Sequence, residues 1–219
     1  MTLAELPQIV VNPFTPPRPG EDDGHHGVDF AYYHRGAHQT MVGLGIYSVL
    51  AGRVASVIDD RPPYGNMIMV ETPLKDLPSA FLSRLILPPS ALAPTPSPRL
   101  SCPVLTPPAA DGGQRSLYLL YAHMEKPSDL KVDDPIGCGQ PLGSVGNTGF
   151  SGNPHLHFEV RVGPSGSTFE AMSHYNNRAS QVEMSNYCLW RISGYYQLVD
   201  PLAVLAAGEA FEAGPQPAN

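Results

Sequence analysis

The chain has 219 residues, enough to bury a hydrophobic core without disulfide or metal staples. Its formal net charge is −7, so the composition gives no support for nucleic-acid binding, which usually requires an excess of basic residues. No apolar run reaches the length of a transmembrane helix, and no secretory signal is visible at the start of the chain. We therefore expect either a protein that stays inside the cell or a mature or excised piece of an exported one.

Proline and glycine shape the predicted fold, with 25 and 21 residues that favour short strands and turns over long helices. β-Prone segments separated by turn residues predict an all-β domain. The predicted strands are 46–49, 53–58, 67–71, 117–124, 155–162 and 195–199, with a glycine-containing hairpin at 132–145. We place this domain at residues 25–204, after an extended arm at 1–24 and before a tail at 205–219 that follows a short helix near Pro201.

Two stretches, at about 72–115 and 163–194, interrupt the β pattern, and we interpret both as long loop insertions. In the first, the run 79–87 predicts one short helix that ends before Pro88-Pro89. Its apolar face consists of Phe81, Leu82, Leu85 and Ile86. This face is interpreted as a cover for the sheet, and an excursion over an active site is the alternative.

The segment His155-Leu-His-Phe-Glu-Val-Arg-Val162 alternates polar and apolar residues, which predicts a half-buried strand. The alternation places Leu156 and Phe158 on the core face and His155 and His157 side by side on the other face. Two imidazoles at this spacing can share one metal or proton-transfer site. A solvated strand face that happens to carry two histidines is the alternative.

A second polar cluster, Gly-His-His-Gly-Val-Asp, covers residues 24–29. In an extended segment His25 and Asp29 share a face with Gly27 between them, whereas His26 points the other way. Turn chemistry alone can explain such residues. Together with His157, however, they give three N and O ligands and an open fourth position, as in catalytic zinc sites.

His123, at the end of the strand 117–124, is a candidate for proton transfer. A core histidine bound to a backbone carbonyl is the alternative. Beside a zinc site, His123 and His155 provide two imidazoles, one to take a proton from water and one to donate to the oxyanion or leaving amine.

These motifs, in chain order, resemble those of the lysostaphin-type, LytM-like zinc metallopeptidases. The segments are His-x-Gly-x-Asp at 25–29, Tyr-Ala-His at 121–123 and Gly-x-Pro-His-Leu-His-Phe-Glu-Val-Arg at 152–161. The resemblance, over about 25–202, implies an antiparallel β-sheet groove of the duplicated hybrid motif or barrel-sandwich-like kind. It also implies Zn²⁺ on His25, Asp29 and His157, with His123 and His155 as catalytic imidazoles.

Members of this family cleave peptide bonds in bacterial peptidoglycan. The resemblance therefore implies a zinc endopeptidase that acts on stem or cross-bridge peptides outside the cytoplasm, in the periplasm, the cell wall or the medium. A catalytically silent module that regulates other cell-wall hydrolases is the alternative; such modules have lost ligand residues, and none is lost here. Specificity cannot be carried over, because the segment 32–42 and the two insertions depart from the family pattern. His34 and His38 in that segment and His174 in the second insertion are interpreted as surface residues.

The three cysteines show no zinc-ribbon spacing, and buried, unreactive side chains are the simplest interpretation. Cys102 and Cys188 lie in the two insertions, whereas Cys138 lies in the predicted hairpin. If the protein is exported, a disulfide between Cys102 and Cys188 can join the two insertions.

Overall fold

The fold is described from a computed structural model for residues 3–18, 21–31, 40–90, 100–106, 108 and 113–212. The strands are β1 (Val10–Asn12), β2 (Gly27–Phe30), β3 (Gly45–Tyr47), β4 (Gly52–Arg61), β5 (Gly65–Pro73), β6 (Arg115–Met124), β7 (Pro135–Ile136), β8 (Pro141–Ser144), β9 (Leu156–Pro164) and β10 (Gln197–Val199). The α-helices are α1 (Ser79–Leu82), α2 (Gln181–Arg191) and α3 (Pro201–Glu212), and 3₁₀-helices cover Leu3–Gln8 and Leu74–Asp76. None of the helices in these described ranges is long and apolar enough to cross a membrane.

The architecture is a large antiparallel sheet with a small second sheet, which confirms the predicted all-β class. The large sheet has the order β1-β2-β9-β6-β5-β4-β7, and β10 pairs with β9 outside this path. The second sheet contains β3 and β8. The register places Asp29 of β2 and Ala122 of β6 on either side of His157 in β9, so the predicted motifs meet on neighbouring strands.

Strand β9 is buried on both faces, which corrects the prediction of a half-buried strand. Phe158 and Val160 pack into one hydrophobic cluster on the predicted core face. The opposite face carries Glu159 and Arg161, which are also buried, next to a second cluster that includes Trp190. The second insertion supplies this cover, so side chains expected in solvent lie in the interior.

The second insertion contains α2, a helix that the sequence analysis missed. Ser180 accepts a hydrogen bond from the backbone N–H of Glu183, and the Glu183 carboxylate accepts one from the backbone N–H of Ser180. A serine followed by a glutamate three residues later is the sequence pattern of a capping box, so the start of this helix could have been predicted. The predicted helix at 79–87 exists only as the single turn α1. Phe81 and Leu85 lie in the main hydrophobic cluster and Leu82 packs against it, as predicted, whereas Ile86 is 94% exposed.

Three other predicted segments differ in detail. The predicted hairpin at 132–145 is not a paired hairpin, because β7 pairs with β4 and β8 pairs with β3. The predicted tail at 205–219 overlaps α3, whose Ala- and Leu-rich sequence favours continuation of the helix to Glu212. The arm is not simply extended, since a 3₁₀-helix precedes β1 and β1 pairs with β2.

The two insertions are joined by the Cys102–Cys188 disulfide, which confirms that prediction. Cys138 is a free, exposed thiol, so the interpretation of three buried cysteines is wrong. His174 is also not a surface residue: it is 8% exposed, and its Nε2 lies 3.0 Å from the carbonyl oxygen of Ser101 in the first insertion. His34 and His38 lie outside the described residues.

Candidate active site

Three potential metal ligands converge at one end of the large sheet. His25 lies just before β2, Asp29 lies within β2, and His157 faces Asp29 from β9. Among the described residues, they are the group of histidine, cysteine and acidic side chains whose ligand atoms lie within 4.8 Å of one another. The structure thus brings together all three residues predicted to hold the metal.

The distances between the three donor atoms fit a small tetrahedral metal ion. Asp29 Oδ1 lies 2.8 Å from His157 Nδ1 and 3.1 Å from His25 Nε2, and these two nitrogens are 3.2 Å apart. Zinc–ligand bonds of about 2.0–2.2 Å place tetrahedral ligands about 3.3 Å from each other. Two imidazoles and one carboxylate also match the donor chemistry that zinc prefers, so the residues present fit this metal.

Residues in and next to β1 orient two of the potential ligands, His25 and Asp29. His25 Nδ1 lies 3.0 Å from the carbonyl oxygen of Pro13, so this nitrogen carries the proton and Nε2 keeps its lone pair for a metal. Asn12 of β1 donates a hydrogen bond to Asp29 Oδ2 at 3.1 Å, which leaves Oδ1 facing the two imidazoles. The arm therefore contributes to the geometry of the ligands.

Gly27 leaves the space that the His157 ring occupies. A Cβ at this position would lie 2.8 Å from His157 Cε1 and 2.5 Å from the carbonyl oxygen of Phe158. The glycine in the His-x-Gly-x-Asp motif is therefore required by a close approach of β2 to the ring on β9.

The charge of the ligand cluster favours an ionised carboxylate. Burial alone raises the pKa of Asp29, but hydrogen bonds from His157 and His25 outweigh it and hold this pKa well below its usual range. Burial lowers the pKa of His157, whereas hydrogen bonds to Asp29 and Glu159 raise it, with a net upward shift. The cluster is therefore an ionised carboxylate beside two imidazole nitrogen atoms that can bind a metal ion.

The two candidate catalytic histidines lie beside the ligands. The ring centroids of His123 and His155 are 4.6 Å apart, and His155 Nε2 lies 3.5 Å from Asp29 Oδ1. His123 Nδ1 lies 2.7 Å from the carbonyl oxygen of Thr148, and His155 Nδ1 lies 2.8 Å from that of Asn153. Each carbonyl fixes a proton on Nδ1, so Nε2 of each ring is free to accept a proton.

His123 reaches the site because its backbone departs from the strand conformation. Its φ of 59° is unusual for a non-glycine residue. Strand alternation alone would place its side chain on the face of the sheet away from His157, and this backbone conformation redirects it. Burial, with smaller effects of His157 and His155, lowers the pKa of His123 to about 3, so the ring is neutral near pH 7. His123 is also a histidine bound to a backbone carbonyl, as the alternative interpretation has it. Its Nδ1 makes that contact, which leaves Nε2 for proton transfer.

A cleft of about 680 Å³ lies over these groups. Its walls include the exposed aromatic residues Phe150 and Tyr175, which are 57% and 53% exposed. Asp22, Tyr187 and Arg191 also line it, and the last two belong to α2. The second insertion thus forms one wall of the cleft.

Glu159, Asp22 and Arg191 are the polar residues near the site that the sequence analysis did not identify. Glu159 Oε2 lies 3.4 Å from His157 Nε2, and Arg191 Nε donates to Asp22 Oδ1 at 2.7 Å. Strand alternation places Glu159 on the His157 face, so this neighbour could have been found. The contact between Asp22 and Arg191 joins residues 169 positions apart and has no local signal.

The comparisons with known proteins agree with the motifs. Residues 110–171 match the model of "Peptidase family M23", a segment that contains His123, His155 and His157 but not His25 or Asp29. This match confirms the predicted resemblance to the lysostaphin-type peptidases. Comparison with curated protein sequences finds no match.

Solved structures with low similarity include three peptidases. A catalytic-domain variant of the prophage-encoded M23 protein EnpA from Enterococcus faecalis is 19% identical, with a TM-score of 0.40, covering 72% of this chain and 82% of that one. The lysostaphin catalytic domain from Staphylococcus simulans is 19% identical, with a TM-score of 0.38, covering 74% and 85%. A zinc-containing peptidase from Vibrio cholerae is 22% identical, with a TM-score of 0.39, covering 69% of this chain and 32% of that one.

Proposed function

We propose that this protein is a zinc-dependent endopeptidase that hydrolyses peptide bonds in the stem or cross-bridge peptides of bacterial peptidoglycan, outside the cytoplasm. The observation that carries the proposal is the convergence of His25, Asp29 and His157 at distances suited to zinc, with two further imidazoles beside them. The family match over residues 110–171 supports the peptidase class.

The chain's own residues divide the chemistry between binding and proton transfer. Zinc held by His25, Asp29 and His157 would act as a Lewis acid that lowers the pKa of water from about 15.7 to about 7 and polarises a carbonyl group. His123 and His155 both line the cleft, and Nδ1 of each ring contacts a backbone carbonyl, which leaves Nε2 for proton transfer. One ring can take the proton of the attacking water at Nε2 and pass that same proton to the leaving amine, while the other ring accepts a hydrogen bond that orients the water.

Within the part of the chain that the structure describes, the site lacks the pair of available carboxyl groups that glycoside hydrolysis needs, which favours an amide as the substrate bond. Glycoside hydrolysis usually needs two carboxyl groups on either side of the sugar linkage, about 5–9.5 Å apart. Asp29 belongs to the metal ligands, and Glu159 is fully buried and ion-paired to Arg161, so neither is free for that role. The open cleft has room for a peptide backbone beside the histidines.

Metal analysis tests the binding step. The purified protein should bind one zinc ion per chain, and Asp29→Ala should abolish tight binding, because two remaining ligands hold zinc poorly. Asp129→Ala, which removes an exposed carboxylate, is the matched control and should bind zinc like the wild type. Full zinc occupancy in Asp29→Ala would contradict the ligand assignment.

Digestion of purified peptidoglycan tests the reaction. New free amines without new reducing sugars are expected, and new reducing ends that disappear in Asp29→Ala would contradict the proposal. His123→Ala and His155→Ala should retain zinc and lose about 10²–10⁴-fold in rate, the usual contribution of a general acid or base. Zinc binding without hydrolysis of peptidoglycans of several crosslink types would instead favour the silent regulatory module.

A further inference from the structure

A buried carboxylate lies directly behind the candidate metal centre. Glu159 has no solvent exposure and follows His157 by two residues on the same face of β9. Its Oε2 atom lies 3.4 Å from His157 Nε2, the ring nitrogen on the far side from the metal-ligand atom Nδ1. Glu159 therefore contacts the metal ligand without facing the cleft.

We propose that Glu159 is a positioning residue for the metal centre, which accepts the Nε2–H of His157 and thereby turns the Nδ1 lone pair toward the metal. This inference rests on the proposed zinc site. A carboxylate bound to the remote N–H of a histidine ligand fixes the orientation and tautomer of the ring, and it makes the ligand atom more basic. Of the partners described for the three ligands, Glu159 is the one that carries a full charge on a fully buried side chain.

Two hydrogen bonds and one further guanidinium keep Glu159 in place and charged. Arg161 Nε donates to Oε1 at 2.5 Å, Tyr64 donates its hydroxyl hydrogen to Oε2 at 3.0 Å, and Arg191 Nη1 lies 3.7 Å from Oε2. A buried carboxylate without such partners would be costly, and it would take up a proton instead. The Tyr64 hydroxyl is thereby directed to Glu159, although its ring lines the cleft.

The second insertion completes this arrangement from α2. Arg191, the last residue of α2, lies between Glu159 and Asp22, whose carboxylate also accepts hydrogen bonds from Tyr175 and Tyr187 at 2.5 and 2.8 Å. Asp22 precedes the ligand His25 by three residues. The insertion thus supports His157 from behind through Arg191 and Glu159, in addition to forming a wall of the cleft.

A structural ion pair between Glu159 and Arg161 is the competing explanation, and it predicts a different measurement. An ion pair that serves the fold alone would change the stability of the protein but not its affinity for zinc. A positioning residue changes the affinity of the folded protein and the state of the His157 ring.

Zinc affinity, measured by competition with a chromophoric chelator, separates the two explanations. Glu159→Gln preserves the size of the side chain and should weaken zinc binding by about 10–100-fold, the usual effect of an outer-shell substitution. Glu71→Gln is the matched control, since Glu71 is also a buried carboxylate of the sheet, paired with Arg53. Affinity of Glu159→Gln within twofold of both the wild type and Glu71→Gln would overturn the inference.

Nitrogen NMR of the His157 ring provides a measurement that needs no variant. In the zinc-loaded wild type, Nε2 should carry a slowly exchanging proton while Nδ1 shows the shift of a metal-bound nitrogen. A metal-bound Nε2 would overturn the inference. Should Glu159→Gln fold poorly, Glu159→Asp keeps the charge near Arg161 but withdraws it from His157, and it should also weaken zinc binding.

The outcomes distinguish this inference from the proposed function. A wild type that binds zinc and cleaves peptidoglycan, with unaltered affinity in Glu159→Gln, overturns only the role of Glu159. A wild type that binds no zinc overturns both.

Discussion

His26, the neighbour of the candidate ligand His25, is predicted to make the stability of the protein depend on pH. The residue is 1% exposed, and its Nδ1 lies 2.6 Å from Arg161 Nη2 while its Nε2 lies 3.1 Å from the carbonyl oxygen of Asp23. The guanidinium donates to Nδ1 and the ring donates from Nε2, so this geometry requires a neutral imidazole. Burial and, next, the charges of Arg161 and Arg191 lower the pKa of His26 to about 3.

The sign of the effect follows from proton binding in the two states. An unfolded histidine has a pKa of about 6.5, so between pH 6.5 and 3 the unfolded chain binds more protons at this position than the folded chain. The contribution of His26 is full above the unfolded value and is lost as the pH falls toward the folded value. At pH 5 the loss is about 2 kcal/mol, since 1.5 pH units correspond to about 1.36 kcal/mol each.

The perturbation is His26→Gln, which keeps an amide oxygen as an acceptor for Arg161 but does not titrate. Urea unfolding at pH 7 and pH 5, with a chelator present to remove metal, gives the change in the free energy of unfolding for each variant. The wild type should lose about 2 kcal/mol more than His26→Gln between these pH values. His174→Gln is the control, because its ring is also buried but lies beside the Ser101 carbonyl.

Equal losses in the wild type and in His26→Gln would refute the reasoning, because the protonation of His26 would then not be coupled to unfolding. The same change in His174→Gln as in His26→Gln would also refute it, since the arginine neighbours would not be the cause.

Two further predictions concern the insertions and the approach of β2 to β9. Titration of the unfolded, unreduced protein should find one free thiol, Cys138. Replacing Cys102 and Cys188 by serine should lower the free energy of unfolding by at most about 4–5 kcal/mol, the loss of chain entropy that the disulfide model gives for a separation of 86 residues. Three free thiols in the unreduced protein would contradict the first statement. Gly27→Ala should weaken zinc binding more than tenfold, because its methyl group would displace the His157 ring, whereas Gly152→Ala, with open space around it, should not. Equal zinc affinity in the two variants would contradict the explanation of Gly27.

Local sequence pattern was sufficient to predict which residues of the candidate metal cluster share a face. Alternation along 155–162 predicted which side chains share a face, and the spacing of four positions between His25 and Asp29 put these two on one face with Gly27 between them. These inferences need only the period of a strand. The pairing of Asp29 with His157 then follows because β2 and β9 are neighbours in the sheet.

The surroundings of the ligands could not be predicted in this way. Alternation gives the two faces of β9 but not what covers each of them, so the surroundings of Glu159 and Arg161 could not be predicted. Their cover depends on Trp190, whose ring lies 5.0 Å from the Arg161 guanidinium, and on Arg191. Contacts between residues this far apart in sequence have no periodic signature. The start of α2 did have one, the capping box at Ser180, and it was overlooked.

Buried charges behind the site connect it to the second insertion. Glu159 and Asp22 are acidic, Arg161 and Arg191 are basic, and all four are largely or fully withdrawn from water. Such charges are stable only with their partners in place, because removing one partner leaves another charge buried alone. Arg191 is supplied by α2, and α2 is tied through Cys188 to the first insertion. A displacement of α2 would therefore expose or unpair the carboxylate behind His157. The two insertions are in this way part of what holds the candidate metal cluster in place.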